Sequence, residues 1–174
     1  MLEELGYKRL SIEAIAARAG VGKQTIYRWW KGKGLLVIEA FAHATSARAT
    51  ELPTADSGSV AEDLRRLLLS VFDRNAHYDR GAAPATKSMM AEAQLDREFL
   101  ATFRELVQSW HGLFLRVLER GKERGELRPD ADSAALVDLL MGATWYRVLL
   151  EHAPLDKAYA DTIIRTVLEG NRPD

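Results

Sequence analysis

Apolar residues recur every three or four positions along almost the whole chain, and no segment alternates apolar and polar residues as a half-buried strand would. That periodicity excludes a sheet protein and makes the breaks between helices the informative positions. "SIEAIAARA" opens on Ser11, a good N-cap, with Glu13 placed to complement the helix dipole and Ile12, Ile15, Ala16 and Ala19 on one stripe. Gly20 ends that helix, a second short one follows over 22–30, and "KGKG" precedes a third over about 35–48. The stretch "ELPTADSGS" (51–59) has the Pro, Ser, Gly and Asp content of a linker. Beyond it the pattern predicts helices over 59–78, 84–93, 96–124, 130–152 and 155–169. Pro84, Pro129 and Pro154 fall in or beside the breaks, where the missing N–H costs nothing, and Asp96, Asp130 and Asp156 stand at N-cap or first-turn positions. The expectation is an all-α chain with a small head and a larger helical body.

Charge separates the same two parts. Residues 7–48 hold eight Lys and Arg against two Glu, a net of +6, so that the rest of the 174-residue chain carries −7. The head is therefore suited to a polyanionic partner, although a solvated basic face has the same composition. Cysteine is absent, which removes disulfides, thiolate metal sites and cysteine nucleophiles. No uninterrupted apolar run approaches the roughly 18 residues of a membrane span. The start "MLEELGYKRL" lacks an apolar signal region. A cytoplasmic protein that does not enter a membrane is expected.

Two short helices joined through "AGVG" have the proportions of a helix-turn-helix. In the second, Ile26, Trp29 and Trp30 stand at i, i+3 and i+4 and can share a buried face, which leaves Lys23, Gln24, Thr25, Tyr27 and Arg28 free for a partner. Arg can fork onto guanine, Gln onto adenine, and a Thr methyl can touch thymine, while Lys, Tyr and Thr also reach phosphate oxygens. Lys31 and Lys33 flank the start of the third helix, whose free N–H groups favour anions. A three-helix core with a solvated cationic surface would show the same residues.

"LEELGYKRLSIEAIAARAGVGKQTIYRWWKGKGLLVIEAF" (2–41) resembles the DNA-binding domain of the TetR/AcrR family of bacterial transcription regulators. The likeness runs through "GY", the hydroxyl-capped helix, "VGKQTIYRWW" and the lysine before "LL", without a gap. It implies a supporting helix at 11–19, a recognition helix at 22–30 and a connector from 33 to 50. It further implies phosphate contacts from Tyr27 and Lys33, with Lys23, Gln24, Thr25 and Arg28 facing the groove. Three positions depart from the family pattern. Gly22 stands where a capping serine is usual, and Gly34 replaces a larger residue in the connector's first turn, loosening it by something under about 1 kcal/mol. At the front only "MLEEL" precedes Gly6, so a truncated first helix is expected.

The implied organisation is a helix-turn-helix DNA-binding domain over 1–50 and a helical effector-binding and dimerisation domain over 51–174. The phrase "ERGELRPDAD" (123–132) resembles the family's loop before its dimerisation helices, so 133–152 and 155–169 are expected to form a homodimer. Leu136, Leu139, Leu140, Ala143, Tyr146, Arg147 and Leu150 support that reading independently, because they make the first of these helices apolar on more than one face. For a small-molecule effector the candidate residues are Phe72, Met89, Met90, Phe103, Val107, Trp110, His111, Phe114, Trp145 and Tyr146, adaptable apolar groups with a few polar ones among them. Plain helical core is the competing reading of each. Gly112, beside two of them, marks a kink or a close approach.

Catalysis has little support. His43, His77, His111 and His152 are scattered, the acidic pairs lie at helix starts, and there is no phosphate-cradling loop or nucleophile motif. No enzyme, cofactor or metal is expected. The expected function is a dimeric regulator with recognition helices in successive major grooves of a palindromic operator, half-sites about 34–36 Å apart. The family implies repression relieved by a ligand. The alternative is a helical ligand- or protein-binding dimer that has lost DNA binding.

Overall fold

The computed structural model describes residues 1–49, 56–76 and 83–173, and every regular element among them is an α-helix. In chain order these are α1 (Leu2–Arg9), α2 (Ile12–Ala19), α3 (Lys23–Trp29), α4 (Lys33–Ala49), α5 (Val60–Ala76), α6 (Ala83–Leu95), α7 (Arg97–Glu123), α8 (Ser133–Leu150) and α9 (Lys157–Glu169). The linker residues 51–55, most of "DRGAAP" and His77 lie outside the described residues.

The caps explain where the helices begin and end. Ser11 Oγ accepts the Ala14 N–H at 3.1 Å, and Gly20, at φ 68°, turns the chain left-handed to close α2. Asp96 accepts the N–H groups of Glu98 and Phe99 at the start of α7, and Asp156 accepts that of Tyr159 at the start of α9. At α8 the capping residue is Asp132, which accepts the Ala135 N–H at 3.1 Å, and not Asp130. That helix therefore begins later than the acidic pattern suggests. Helical residues do extend in front of Gly6: α1 begins at Leu2 and carries a break at Gly6 (φ 69°, ψ 163°) that only glycine adopts cheaply.

The helices form two compact units, one of Met1–Glu51 with Gly81–Val107 and one of Leu52–Arg80 with Gln108–Asp174. In the first, α1 packs on α6 and α2 on α3. One core cluster joins Tyr7, Leu10, Val37, Ile38, Met89, Ala93 and Phe99, and a smaller one joins Ile12, Ala16 and Ile26. In the second, α9 packs on α5 and α8. Asp63 is buried at the start of α5 and accepts the Ser57 N–H at 3.1 Å, with Arg120 Nη2 3.4 Å from its other oxygen. Glu126 accepts the Val60 N–H at 2.8 Å and is held by Arg124. The close approach predicted at Gly112 occurs instead at Gly121, where an added Cβ would stand 2.9 Å from Val60 Cγ2. At Gly112 it would meet only the end of Arg116, and α7 runs through without a break.

α8 departs from the sequence expectation about membrane spans. Its 18 residues average a hydropathy of 1.3 with 33% of the segment buried, enough by length and composition to cross a bilayer. Counting uninterrupted apolar residues overlooks it because Asp138 and Arg147 divide the run.

Candidate nucleic-acid interface

α3 has seven residues and buries one of them, Ile26, against Ile12 and Ala16. Its start has no side-chain cap, as Gly22 implied, and Lys23, Gln24, Thr25, Tyr27 and Arg28 are all exposed. With about 100° per residue, Gln24 and Arg28 fall on the face opposite Ile26, and Thr25 and Tyr27 on its flanks. Lys23 Nζ lies 3.9 Å from Glu13 on α2, an exposed pair loose enough to exchange for another anion. The surface joins hydrogen-bond donors, two forked or amide groups and a phenol on one short helix.

The tryptophans correct the sequence reading. Trp29 is 69% exposed, and the Arg28 guanidinium lies 5.6 Å from its ring centroid. Trp30 is half-buried, packs against the Ile26 cluster and donates from Nε1 to Glu39 Oε2 at 2.8 Å. The spacing i, i+3, i+4 assumes a helix that continues, but Trp30 is already extended (φ −125°, ψ 123°) as the C-cap of α3. The small cluster on α2 then covers Trp30 and leaves Trp29 outside. Its solvent-facing indole is a candidate contact that periodicity hid; the end of the helix at "KGKG" was the available signal.

Lys33 stands apart from the other candidates. Its Nζ donates to the Tyr7 carbonyl at 3.0 Å and lies 4.0 Å from the centroid of the Tyr7 ring. Lys31 is exposed. Gly34 proves to be a packing residue: a Cβ there would come within 3.0 Å of Phe99 Cδ2 and 3.4 Å of the Tyr7 hydroxyl. Tyr7 is buried, its ring meets Phe99 edge-on at 4.9 Å, and burial, reinforced by Glu92 and Asp96, pushes its hydroxyl up to about 12.

The ten effector candidates do not share one surroundings. Met89 is fully buried in the Tyr7 cluster and Phe103 packs against the same cluster. Phe72 is buried and stacks on Tyr159 at 5.9 Å, and Phe114 is buried as well. Met90, Trp110, His111 and Trp145 are partly covered, with His111 Nε2 3.6 Å from Asp138, whereas Val107 and Tyr146 are exposed. None of the ten lines either of two cavities formed by described residues. One, of about 330 Å³, runs along α7 between Leu113 and Glu123 with Leu67 of α5; the other, of about 210 Å³, lies beside Tyr7, Lys33 and Phe99. Among the described residues no three His, Asp or Glu side chains are arranged to hold a metal.

A short capped helix, a glycine turn and a second short helix with an exposed cationic face define a helix-turn-helix unit. Residues 1–40 match the model of bacterial regulatory proteins of the tetR family, and 54–167 match that of the tetracyclin repressor-like C-terminal domain. The chain belongs to the TetR family and is a DNA-binding transcriptional regulator. It is 26% identical over 171 residues to the HTH-type transcriptional regulator YdeS of Bacillus subtilis, covering 98% of this chain and 83% of that one. Over 166 residues it is 30% identical to the DNA-binding transcriptional repressor TetR of Mycobacteroides abscessus, covering 94% and 83%. The crystal structure of the TetR family transcription regulator SCO0332 superimposes with a TM-score of 0.79 at 31% identity, over 99% of this chain and 92% of that one. Bacillus subtilis FadR, solved in complex with stearoyl-CoA, shares the fold with a TM-score of 0.79 at 20% identity over 97% and 92%.

Proposed function

We propose that the chain is a homodimeric repressor that binds a palindromic operator through α3 and leaves it when a small molecule binds the body. The observation that carries this reading is the exposure of Lys23, Gln24, Thr25, Tyr27 and Arg28 on a helix anchored by Ile26 alone. In this reading Gln24 and Arg28 read base edges, Tyr27 and Lys23 reach phosphates, and Trp29 lies against sugar or a thymine methyl. The functional domains are 1–50 for DNA and 51–174 for effector and partner, working in the cytoplasm without catalysis.

Dimerisation is supported by α8. Ala135, Leu139, Gly142, Tyr146 and Leu149 are all exposed and follow a four-three spacing along the helix, the seam of a coiled-coil-like pair. Leu136, Val137, Leu140, Thr144 and Val148 are buried on the other face, so the helix is apolar on both sides, as its composition implied. A second copy of α8, flanked by α9, would cover the seam. The effector contacts we assign are the partly covered Trp110, His111 and Trp145, since Phe72, Met89 and Phe114 are committed to packing. The stearoyl-CoA complex of FadR motivates testing acyl thioesters first. An effector acts only by favouring one separation of the two heads.

The deciding experiment is a fluorescence-anisotropy titration against duplexes selected from a random pool, at two salt concentrations. Tight, salt-dependent binding with a palindromic preference is expected. Silence toward every duplex would instead favour a DNA-inert ligand-binding dimer.

A further inference from the structure

We infer that the cavity beside Tyr7 is a binding site for a small zwitterion of the α-amino-acid type, its carboxylate at the start of α4 and its ammonium toward Asp96 and Glu98. The site is separate from the effector contacts assigned to Trp110, His111 and Trp145, and it does not depend on the operator-binding reading of α3. The cavity measures about 210 Å³, the room of roughly seven waters or of a molecule of about six to nine non-hydrogen atoms. Gly34 lines it, and the space a side chain there would fill is bounded by Phe99 Cδ2 at 3.0 Å and the Tyr7 hydroxyl at 3.4 Å.

That hydroxyl is an unused donor. Tyr7 is 6% exposed and lines the cavity, yet its hydroxyl has no hydrogen-bond partner among the described residues. Leaving a buried hydroxyl unmet is costly, and a ligand that accepts from it removes the cost. Burial, reinforced by Glu92 and Asp96, keeps the phenol protonated at neutral pH. The start of α4 adds further donors. Gly32 begins the helix with no side chain to cap it, and among the described residues nothing accepts the N–H groups of Lys33, Gly34 and Leu35. The Lys33 ammonium gives one N–H to the Tyr7 carbonyl and keeps two, and Lys31 beside it is exposed. Such a set of donors suits a carboxylate.

Acids line the same cavity. Asp96 spends only Oδ1 on the N–H groups of Glu98 and Phe99, and the Glu98 carboxylate is exposed. Among the described residues no ion pair joins Lys31 or Lys33 to either acid. A plain anion entering the cavity would meet two carboxylates, and a plain cation two lysines. A ligand carrying both charges complements both walls, while Leu35 and Phe99 leave an apolar stretch for a short aliphatic side chain.

The test is calorimetric titration of the full chain with L-alanine, L-valine, L-leucine and L-isoleucine, then with the N-acetyl and amide forms of the best binder. At least one of the four is expected to bind at about 1 mM or tighter, a modest demand on so few atoms. Removing either charge should weaken binding about tenfold or more, and Glu98→Gln about threefold. Tyr7→Phe should weaken it about three- to tenfold while the free protein melts no lower than wild type at neutral pH, because the hydroxyl serves nothing inside the chain. The inference is overturned if none of the four binds below about 10 mM, for the cavity then holds water alone. It is equally overturned if the best binder keeps its affinity in both Tyr7→Phe and Glu98→Gln, or if the uncharged-end analogues bind as well as the parent. If Tyr7→Phe does not fold, Glu98→Gln and the analogues decide.

Discussion

α3 and α8 both turn large side chains toward solvent, but in different company. On α3, Tyr27 (50% exposed) and Trp29 stand among Lys23, Gln24 and Arg28, and the arginine caps the indole face. On α8, Leu139 (60% exposed), Tyr146, Leu149 and Leu150 stand with small residues and one acid, Asp138, on a helix of mean hydropathy 1.3. An aromatic ring among cations remains wetted and suits a hydrated polyanion. A leucine seam at coiled-coil spacing gains nothing from water and suits an identical seam. Exposure alone therefore identifies neither surface; the neighbours of the exposed group do.

The largest test of this contrast is on α8. Leu139→Arg would place a cation on both copies of the seam, and sedimentation velocity should show monomers. Operator affinity should then fall by about a hundredfold or more, because each head binds without the avidity of its partner. A dimer that survives the substitution would mean that the leucines face something else. Ile26→Ala comes next, removing the one buried residue of α3 at a cost of about 2–5 kcal/mol. It should abolish operator binding while the sedimentation coefficient stays that of a dimer.

Arg28→Ala probes the exposed face of α3 directly. Competition with single-base operator variants should show discrimination at one position reduced by about 1–3 kcal/mol, with the dimer intact. Trp29→Ala separates contact from core: its melting should change by less than about 0.5 kcal/mol, while operator affinity drops by about 1 kcal/mol of lost apolar contact. A large loss of stability would return Trp29 to the core. The smallest effect concerns Tyr7. Its hydroxyl ionises near 10 when unfolded and near about 12 when folded, so stability is full below pH 10 and is lost as pH rises toward 12. Tyr7→Phe should lose less stability than wild type over that window in alkaline thermal melts.

The residues of α2 show why much of this was legible in sequence. Ser11, Gly20 and the stripe Ile12–Ala16 act within one or two turns, so local chemistry is enough to place the helix. The same holds for Asp96 and Asp156, whose caps reach only three residues ahead. Lys23, Gln24, Thr25, Tyr27 and Arg28 were recognisable because a short helix with one anchor must leave them outside. Trp29 was misread, since it depends on where α3 stops and on how little α2 can cover. Asp130 fits the capping pattern as well as Asp132 does, and only the backbone geometry makes Asp132 the cap.

The ten effector candidates mark the limit of such reading. Met and aromatic residues at helical spacing are those that avoid water, and periodicity cannot say whether a neighbouring helix or a ligand covers them. Helix content, the helix-turn-helix and its outward residues thus followed from interactions a few residues apart along the chain. The engagement of Lys33 by Tyr7, the space that Gly34 leaves for Phe99 and the approach of Gly121 to Val60 join segments 26 to 65 positions apart. Such contacts are set by how packed helices exclude water together, a property of the assembled core that no local window of sequence contains.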